Sequence, residues 1–129
     1  MKRVFLGGTC NNSTWRDELI PQLTIDHFNP VVEDWTPIAM ANEIRERETC
    51  NFCLYVITPK MTGVYSIAEA IDDSNKRPER TVFVRLREDG ESFTDFQWRS
   101  LGAVKEMVKR NGGHVFDDLA SAADWMNQA

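Results

Sequence analysis

The feature that most constrains this chain is a regular alternation of two patterns. Five short apolar runs are separated by stretches with helical spacing. The runs at residues 3–6, 25–29, Phe52–Ile57, 81–86 and His114–Phe116 read as strands. Residues 14–23, 37–48, 66–75, 93–109 and 119–127 read as helices. Their ends carry the expected punctuation. Gly7-Gly8 stops the first run, and Ser13 or Thr14 is a cap for the helix that follows, which Pro21 should cut short. Thr36 is a good cap with Pro37 at the first helical position, and Asn111-Gly112-Gly113 closes the long helix.

Strands alternating with helices imply a parallel sheet covered on both faces. The right-handed crossover rule leaves few topologies. We expect an α/β fold, a flavodoxin-like doubly wound five-stranded parallel sheet in the order 2-1-3-4-5. A chain of 129 residues fits a single domain, 1–129. Such sheets bind ligands beyond the carboxyl ends of the strands, where the winding direction switches. Here that point lies between the first and third strands, so residues 7–13 and 58–66 should frame a site.

The formal charge of −5 argues against duplex nucleic acid and anionic membranes as partners. It leaves room for a small anionic ligand held by a local cluster of donors. No apolar run approaches the roughly 18 residues of a membrane span. The opening MKRVFLGG is too short for the core of a signal peptide, roughly 7–15 residues. A cytoplasmic protein with reduced cysteines is the expectation. Cys50 and Cys53 form a C-x-x-C, but it straddles a helix end and a strand start, unlike a redox motif that opens a helix. A zinc site needs about four ligands, and only Cys10 and two histidines remain. Buried apolar thiols, no metal and no organic cofactor follow.

The loop Gly7-Gly8-Thr9-Cys10-Asn11-Asn12-Ser13 matches neither G-x-G-x-x-G nor a P-loop. Its small residues still allow backbone N–H groups to approach a ligand. It reads equally as a tight turn. The second loop leads to Ser66-Ile67-Ala68-Glu69. This is a capping box, with Ser66 as the cap, or it delivers Glu69 as a nucleophile. Either way, a helix N-terminus favours the ionised carboxylate, which suits a nucleophile and not a general acid. Glu43, Glu46, Asp72 and Asp73 are nearby acids, solvated or paired with the arginines of EIRERE. Among the aromatics, Trp15 and Tyr65 sit beside the two loops and could stack on a base. Trp35, Tyr55, Phe93, Trp98 and Trp125 are expected in the core or in helix packing. Residues 87–92 read as a solvated loop.

Three blocks carry a resemblance: Val4-Phe5-Leu6-Gly7-Gly8-Thr9, Asn51-Phe52-Cys53-Leu54-Tyr55-Val56-Ile57-Thr58, and Gly63-Val64-Tyr65-Ser66-Ile67-Ala68-Glu69-Ala70. The chain resembles the nucleoside 2-deoxyribosyltransferase family and its 2'-deoxynucleoside 5'-phosphate N-hydrolase relatives over about the first 85 residues. The resemblance implies that Glu69 attacks the anomeric carbon of a nucleoside or nucleotide and forms a glycosyl-enzyme intermediate. It implies that Glu43, in place of the family's aspartate, assists base protonation or sugar binding. Asn51 replaces an aspartate at a structural position. Gly63 stands where transferases often carry an aspartate. Hydrolase relatives lack that residue, and in their manner Thr62, Ser66 and the Gly7-Gly8-Thr9 turn would hold a phosphate. The site would be bounded by Gly7, Gly8, Thr9, Asn11, Trp15, Thr62, Gly63, Tyr65 and Ser66. A neighbouring subunit tends to complete such sites, which implies a homo-oligomer, a dimer or higher. The alternative is a module that binds a nucleotide-derived ligand without turnover, or an interaction domain with a vestigial pocket.

Overall fold

Phe52–Ile57 is the central strand, and all six of its residues are buried. This is seen in a computed structural model, which describes residues 1–10 and 12–129. The strands are β1 (Arg3–Gly8), β2 (Asp26–Phe28), β3 (Phe52–Ile57), β4 (Thr81–Arg85) and β5 (His114–Phe116). All pair in parallel, in the order β2-β1-β3-β4-β5. The helices are α1 (Trp15–Leu19), α2 (Pro37–Thr49), α3 (Tyr65–Lys76), α4 (Asp95–Arg110) and α5 (Leu119–Gln128). The expected fold and strand order are therefore present.

Alternating side chains of β1 and β3 build two cores, because successive residues of a strand point to opposite faces. Val4, Leu6, Leu54 and Val56 pack with Trp15 and Leu19 of α1 and Ala122 and Met126 of α5. Phe5, Cys53, Tyr55 and Ile57 pack with Ala70 of α3 and Leu101 and Val108 of α4. Cys50 and Cys53 are buried, and burial pushes both thiols up to about 12. They behave as the apolar residues that the C-x-x-C placement implied. Asn51 Oδ1 accepts from Arg3 N at 2.9 Å, a structural role as expected.

Element ends differ where the local chemistry differs. Pro21 ends α1 early, and Ile20–Gln22 continues as a 3₁₀ turn. Neither Ser13 nor Thr14 caps α1 through a side-chain bond from the cap position. The expected start of the long helix at residue 93 is too early. Thr94 and Gln97 form a reciprocal capping box that starts α4 at Asp95, and Phe93 turns into the core. The 87–92 loop is not simply solvated. Asp89 Oδ2 accepts from Ser13 Oγ at 2.6 Å, which ties this loop to the one after β1. Among the described residues, no helix is long and apolar enough to cross a membrane.

Candidate active site

The site begins with how β1 stops. Gly7 lies opposite Tyr55 and Gly8 opposite Val56 in the β1–β3 pairing. A Cβ on Gly7 would sit 2.8 Å from the Tyr55 ring. Gly8 has φ +116°, and a Cβ there would fall on the Val56 backbone. Only glycine allows this turn. Buried Arg16 then pins it. Its Nε and Nη2 donate to Leu6 O at 3.1 and 2.9 Å, and its Nη1 donates to Thr9 O at 2.9 Å. Trp15 Nε1 donates to the same Thr9 O at 2.6 Å. Thr9 Oγ1 accepts from Thr58 N at 3.1 Å, which joins the loops after β1 and β3.

A cavity of about 260 Å³ opens beside this turn. Its floor is Gly7, Gly8 and Phe5, and Glu43 of α2 and Glu69 of α3 both line it. Pro30, Val31, Val32 and Trp35 form an apolar wall. The volume lies just below the usual range of ligand sites, about 300–1,000 Å³. A smaller space of about 180 Å³ lies next to it, bounded by Thr9, Thr62, Gly63 and Tyr65. Gly8, Cys10 and Ser66 border both.

The structure removes one of the two readings of Glu69, the cap. α3 starts at Tyr65 with Val64 in the cap position and no side-chain cap. Ser66 is therefore the second helical residue, and the capping box does not form. The Glu69 side chain is only 11% exposed, and its Oε2 lies 3.7 Å from Arg47 Nη1. Arg47 is held by much closer partners. Its Nη2 donates to Asp72 Oδ2 at 3.0 Å and Asp73 Oδ1 at 3.1 Å. Its Nε donates to Tyr55 Oη at 3.0 Å and Asp73 Oδ2 at 3.2 Å. The Tyr55 hydroxyl donates to Asp73, which also accepts from Arg77 Nε at 2.9 Å.

The electrostatics overturn one expectation. Glu69 is not biased toward its ionised form. Burial raises its pKa from an ordinary 4.5 to about 7. Arg47 opposes this, while Glu43, Asp73 and Asp72 reinforce it. Desolvation outweighs the helix N-terminus here, because the carboxyl lies a full turn inside α3. Burial also pushes Glu43 up, against the pull of Arg47.

Of the residues expected at the site, Glu43, Glu69, Gly7, Gly8 and Ser66 meet around the main cavity. Thr9, Thr62, Gly63 and Tyr65 line the adjoining one. Asn11 lies outside the described residues. Trp15 is a correction. It is 1% exposed and packs in the core, because it shares a helical face with buried Leu19. Trp35, expected in the core, is instead 58% exposed and lines the cavity. Among the described residues, no group of three His, Cys, Asp or Glu is placed to hold a metal ion.

A family model described as nucleoside 2-deoxyribosyltransferase like matches residues 1–84. The chain belongs to that family. The match runs from β1 into β4 and so includes both glutamates and the glycine turn. Family membership points to an enzyme. Neither a curated protein nor a solved structure matches the chain. Sequence reasoning missed Arg16, and it placed Arg47 only among the EIRERE arginines that pair with nearby acids, a pairing that Asp72 and Asp73 make, without tying it to Glu69. Arg16 follows Trp15 directly, and nothing local marks it as buried. Arg47 sits four residues after Glu43, which places both on one face of α2, and that spacing was a usable signal.

Proposed function

We propose that this family member cleaves or transfers the N-glycosidic bond of a nucleoside or nucleotide, with Glu69 as nucleophile. The observation that carries this reading is the convergence of two half-buried glutamates on one small cavity beside a glycine turn. Glu69 attacks the anomeric carbon, the bond to the base breaks, and the base leaves with its electron pair. Glu43 gives that base a proton. Water or a second base then attacks the glycosyl ester, Glu43 takes back a proton, and Glu69 is released as a carboxylate. The transition state resembles an oxocarbenium ion, which a nearby carboxylate stabilises. Trp35 and the adjacent valines offer the apolar surface against which a flat base can lie. The adjoining space by Thr62 and Ser66 suits a 5'-phosphate.

The test is a panel of deoxynucleosides, ribonucleosides and their monophosphates, assayed for free base by chromatography. Release of base supports the enzyme. Thermal stabilisation by a panel member without base release assigns a binding module instead. A protein that does neither favours the interaction domain.

The two glutamates titrate as a pair. The reactive form carries one proton, on Glu43, with Glu69 ionised beside Arg47. At lower pH both carboxyls are protonated, and at higher pH both are ionised. The expected kcat/KM profile is therefore a bell whose acid limb follows ionisation of Glu69, about 7, and whose alkaline limb follows loss of the Glu43 proton, which burial holds back. Glu43→Gln cannot lose a proton and cannot give one. It should lower kcat roughly 10²–10⁴-fold and convert the bell into a curve that only rises with pH. A bell that survives Glu43→Gln removes Glu43 from the mechanism.

A homo-oligomer belongs to the same proposal. Ile38, Met40 and Ile44 of α2 are 75%, 46% and 55% exposed. With Val31, Val32 and Trp35, which are also exposed, they give this side of the chain an unusual number of uncovered apolar side chains, the material of an interface. A second copy seated there would cover the open side of the cavity. Light scattering should give a dimer or larger, and the double variant Ile38→Asp/Ile44→Asp should give a folded monomer. A monomeric wild-type protein at assay concentration refutes this part.

A further inference from the structure

The residues around Glu69 are more elaborate than the proposed chemistry requires. Asp73 is fully buried and holds Arg47 through both carboxylate oxygens, while Arg77 and the Tyr55 hydroxyl complete its shell. We infer that Arg47 is a positioning residue for Glu69, fixed by Asp73 and Tyr55 so that its charge faces the carboxylate without hydrogen-bonding to it. The distances carry this. At 3.7 Å, Nη1 and Oε2 are within ion-pair range but beyond a hydrogen bond. The remaining guanidinium donors are taken by Asp72, Asp73, Tyr55 and the Glu69 carbonyl, the last at 3.4 Å. Among the described residues, nothing donates to the Glu69 carboxylate, so its lone pairs stay available for attack. A hydrogen-bonded carboxylate would be easier to ionise and less nucleophilic.

This matters most in the step after attack, and that consequence rests on the proposed role of Glu69. Esterification removes the charge of Glu69 but none of the bonds that hold Arg47. The cation stays beside the ester and stabilises the carboxylate as it leaves. An arginine fixed only by its partner carboxylate would drift once that charge was gone.

The charged and titratable groups facing Glu69 are Arg47 and Glu43 from α2 and Asp72 and Asp73 from its own helix. Cys10 and Arg16 border the same cavity. Phe5, Gly7 and Gly8 on the sheet side carry no charge.

The experiment is a carbon-13 NMR titration of the glutamate carboxyls, with the Glu69 signal assigned by its loss in Glu69→Gln. It needs no turnover, so it can fail independently of the proposed activity. The wild-type midpoint is expected near 7. Arg47→Gln removes the cation and should raise the midpoint by roughly one unit or more. Arg47→Lys keeps a charge next to Asp73. A single ammonium cannot serve Asp73, Tyr55 and Glu69 at once, so the midpoint should rise by about half a unit or more. Arg47→Lys also carries the test if Arg47→Gln fails to fold. A purely structural arginine would lower stability and leave the midpoint alone. A Glu69 midpoint that stays at the wild-type value in a folded variant of either kind overturns the inference. With an active substrate in hand, the pH optimum of both variants should move upward as well.

Discussion

Glu69→Gln is expected to abolish base release and, above pH 7, to make the protein more stable. The loss of a covalent nucleophile should lower kcat on the order of 10³-fold or more. The stability gain follows from linkage. Folding raises the Glu69 pKa from 4.5 to about 7 because the charged carboxylate loses water. Protonated Glu69 is thus the form that the folded state prefers. Below pH 4.5 the group is neutral in both folded and unfolded chains, and glutamine changes little. As pH rises from 4.5 toward 7, the unfolded chain ionises freely and the folded one resists, so wild-type stability falls. The difference amounts to about 1–3 kcal/mol at pH 8 after allowance for solvent at a side chain 11% exposed. That is a rise of roughly 3–10 °C in Tm at pH 8, and almost none at pH 4.5. The combination separates a functional glutamate from a structural one. A capping glutamate would show no such gain, because it stays exposed and glutamine completes a capping box as well, as Gln97 does for α4. Thermal melts of wild type and variant at both pH values, alongside the base-release assay, read the outcome. A destabilised variant at pH 8 would mean that Arg47 and Glu69 form a pair that holds the fold.

The parts of this site that could be read from sequence are those set by local pattern. Phe52–Ile57 is an uninterrupted apolar run of strand length, and it is buried throughout. Glu69 could be singled out by its place on the helix that follows that strand, whereas Glu43 stood out among the nearby acids only through the family resemblance. The capping box was legible as a string of letters, but helix registration decided otherwise. α3 begins one residue before Ser66, which moves Ser66 out of the cap position, while the working capping box lies at Thr94. The exchange of Trp15 and Trp35 has a similar origin. Proximity to a loop in sequence says little about which side of a short helix faces solvent, whereas Leu19 four residues on does. Arg47 could be read only as one of the EIRERE arginines that pair with nearby acids, not as the centre of a cluster. Its partners Tyr55 and Asp73 are 8 and 26 residues away, on a strand and on the following helix. Only the packed arrangement makes them neighbours. Electrostatics depended on burial in the same way, and for that reason the expected ionised Glu69 became a carboxyl that titrates near neutrality.

Asp73→Ala should be the most destabilising change in the neighbourhood of the site. Asp73 is completely buried, and its two oxygens serve Arg47, Arg77 and Tyr55 together. Alanine leaves the Tyr55 hydroxyl without an acceptor in the core and two guanidinium groups, 18% and 15% exposed, without their carboxylate. Removing one member of a buried charge cluster costs about 3–5 kcal/mol, because the remaining charge is stranded away from water. For a domain of this size that lowers Tm by roughly 10–20 °C. A double-mutant cycle locates the cost. Tyr55→Phe alone should cost about 1–2 kcal/mol through the loss of one hydrogen bond to a charged group. In the Asp73→Ala background the same change removes a hydroxyl that is already orphaned, so it should be close to neutral or favourable. The two effects are thus expected to couple by about 1 kcal/mol or more. Denaturant unfolding of the four proteins supplies the numbers. Additive costs, or a loss below about 1 kcal/mol for Asp73→Ala, would show that water reaches this cluster and that the fold does not depend on it.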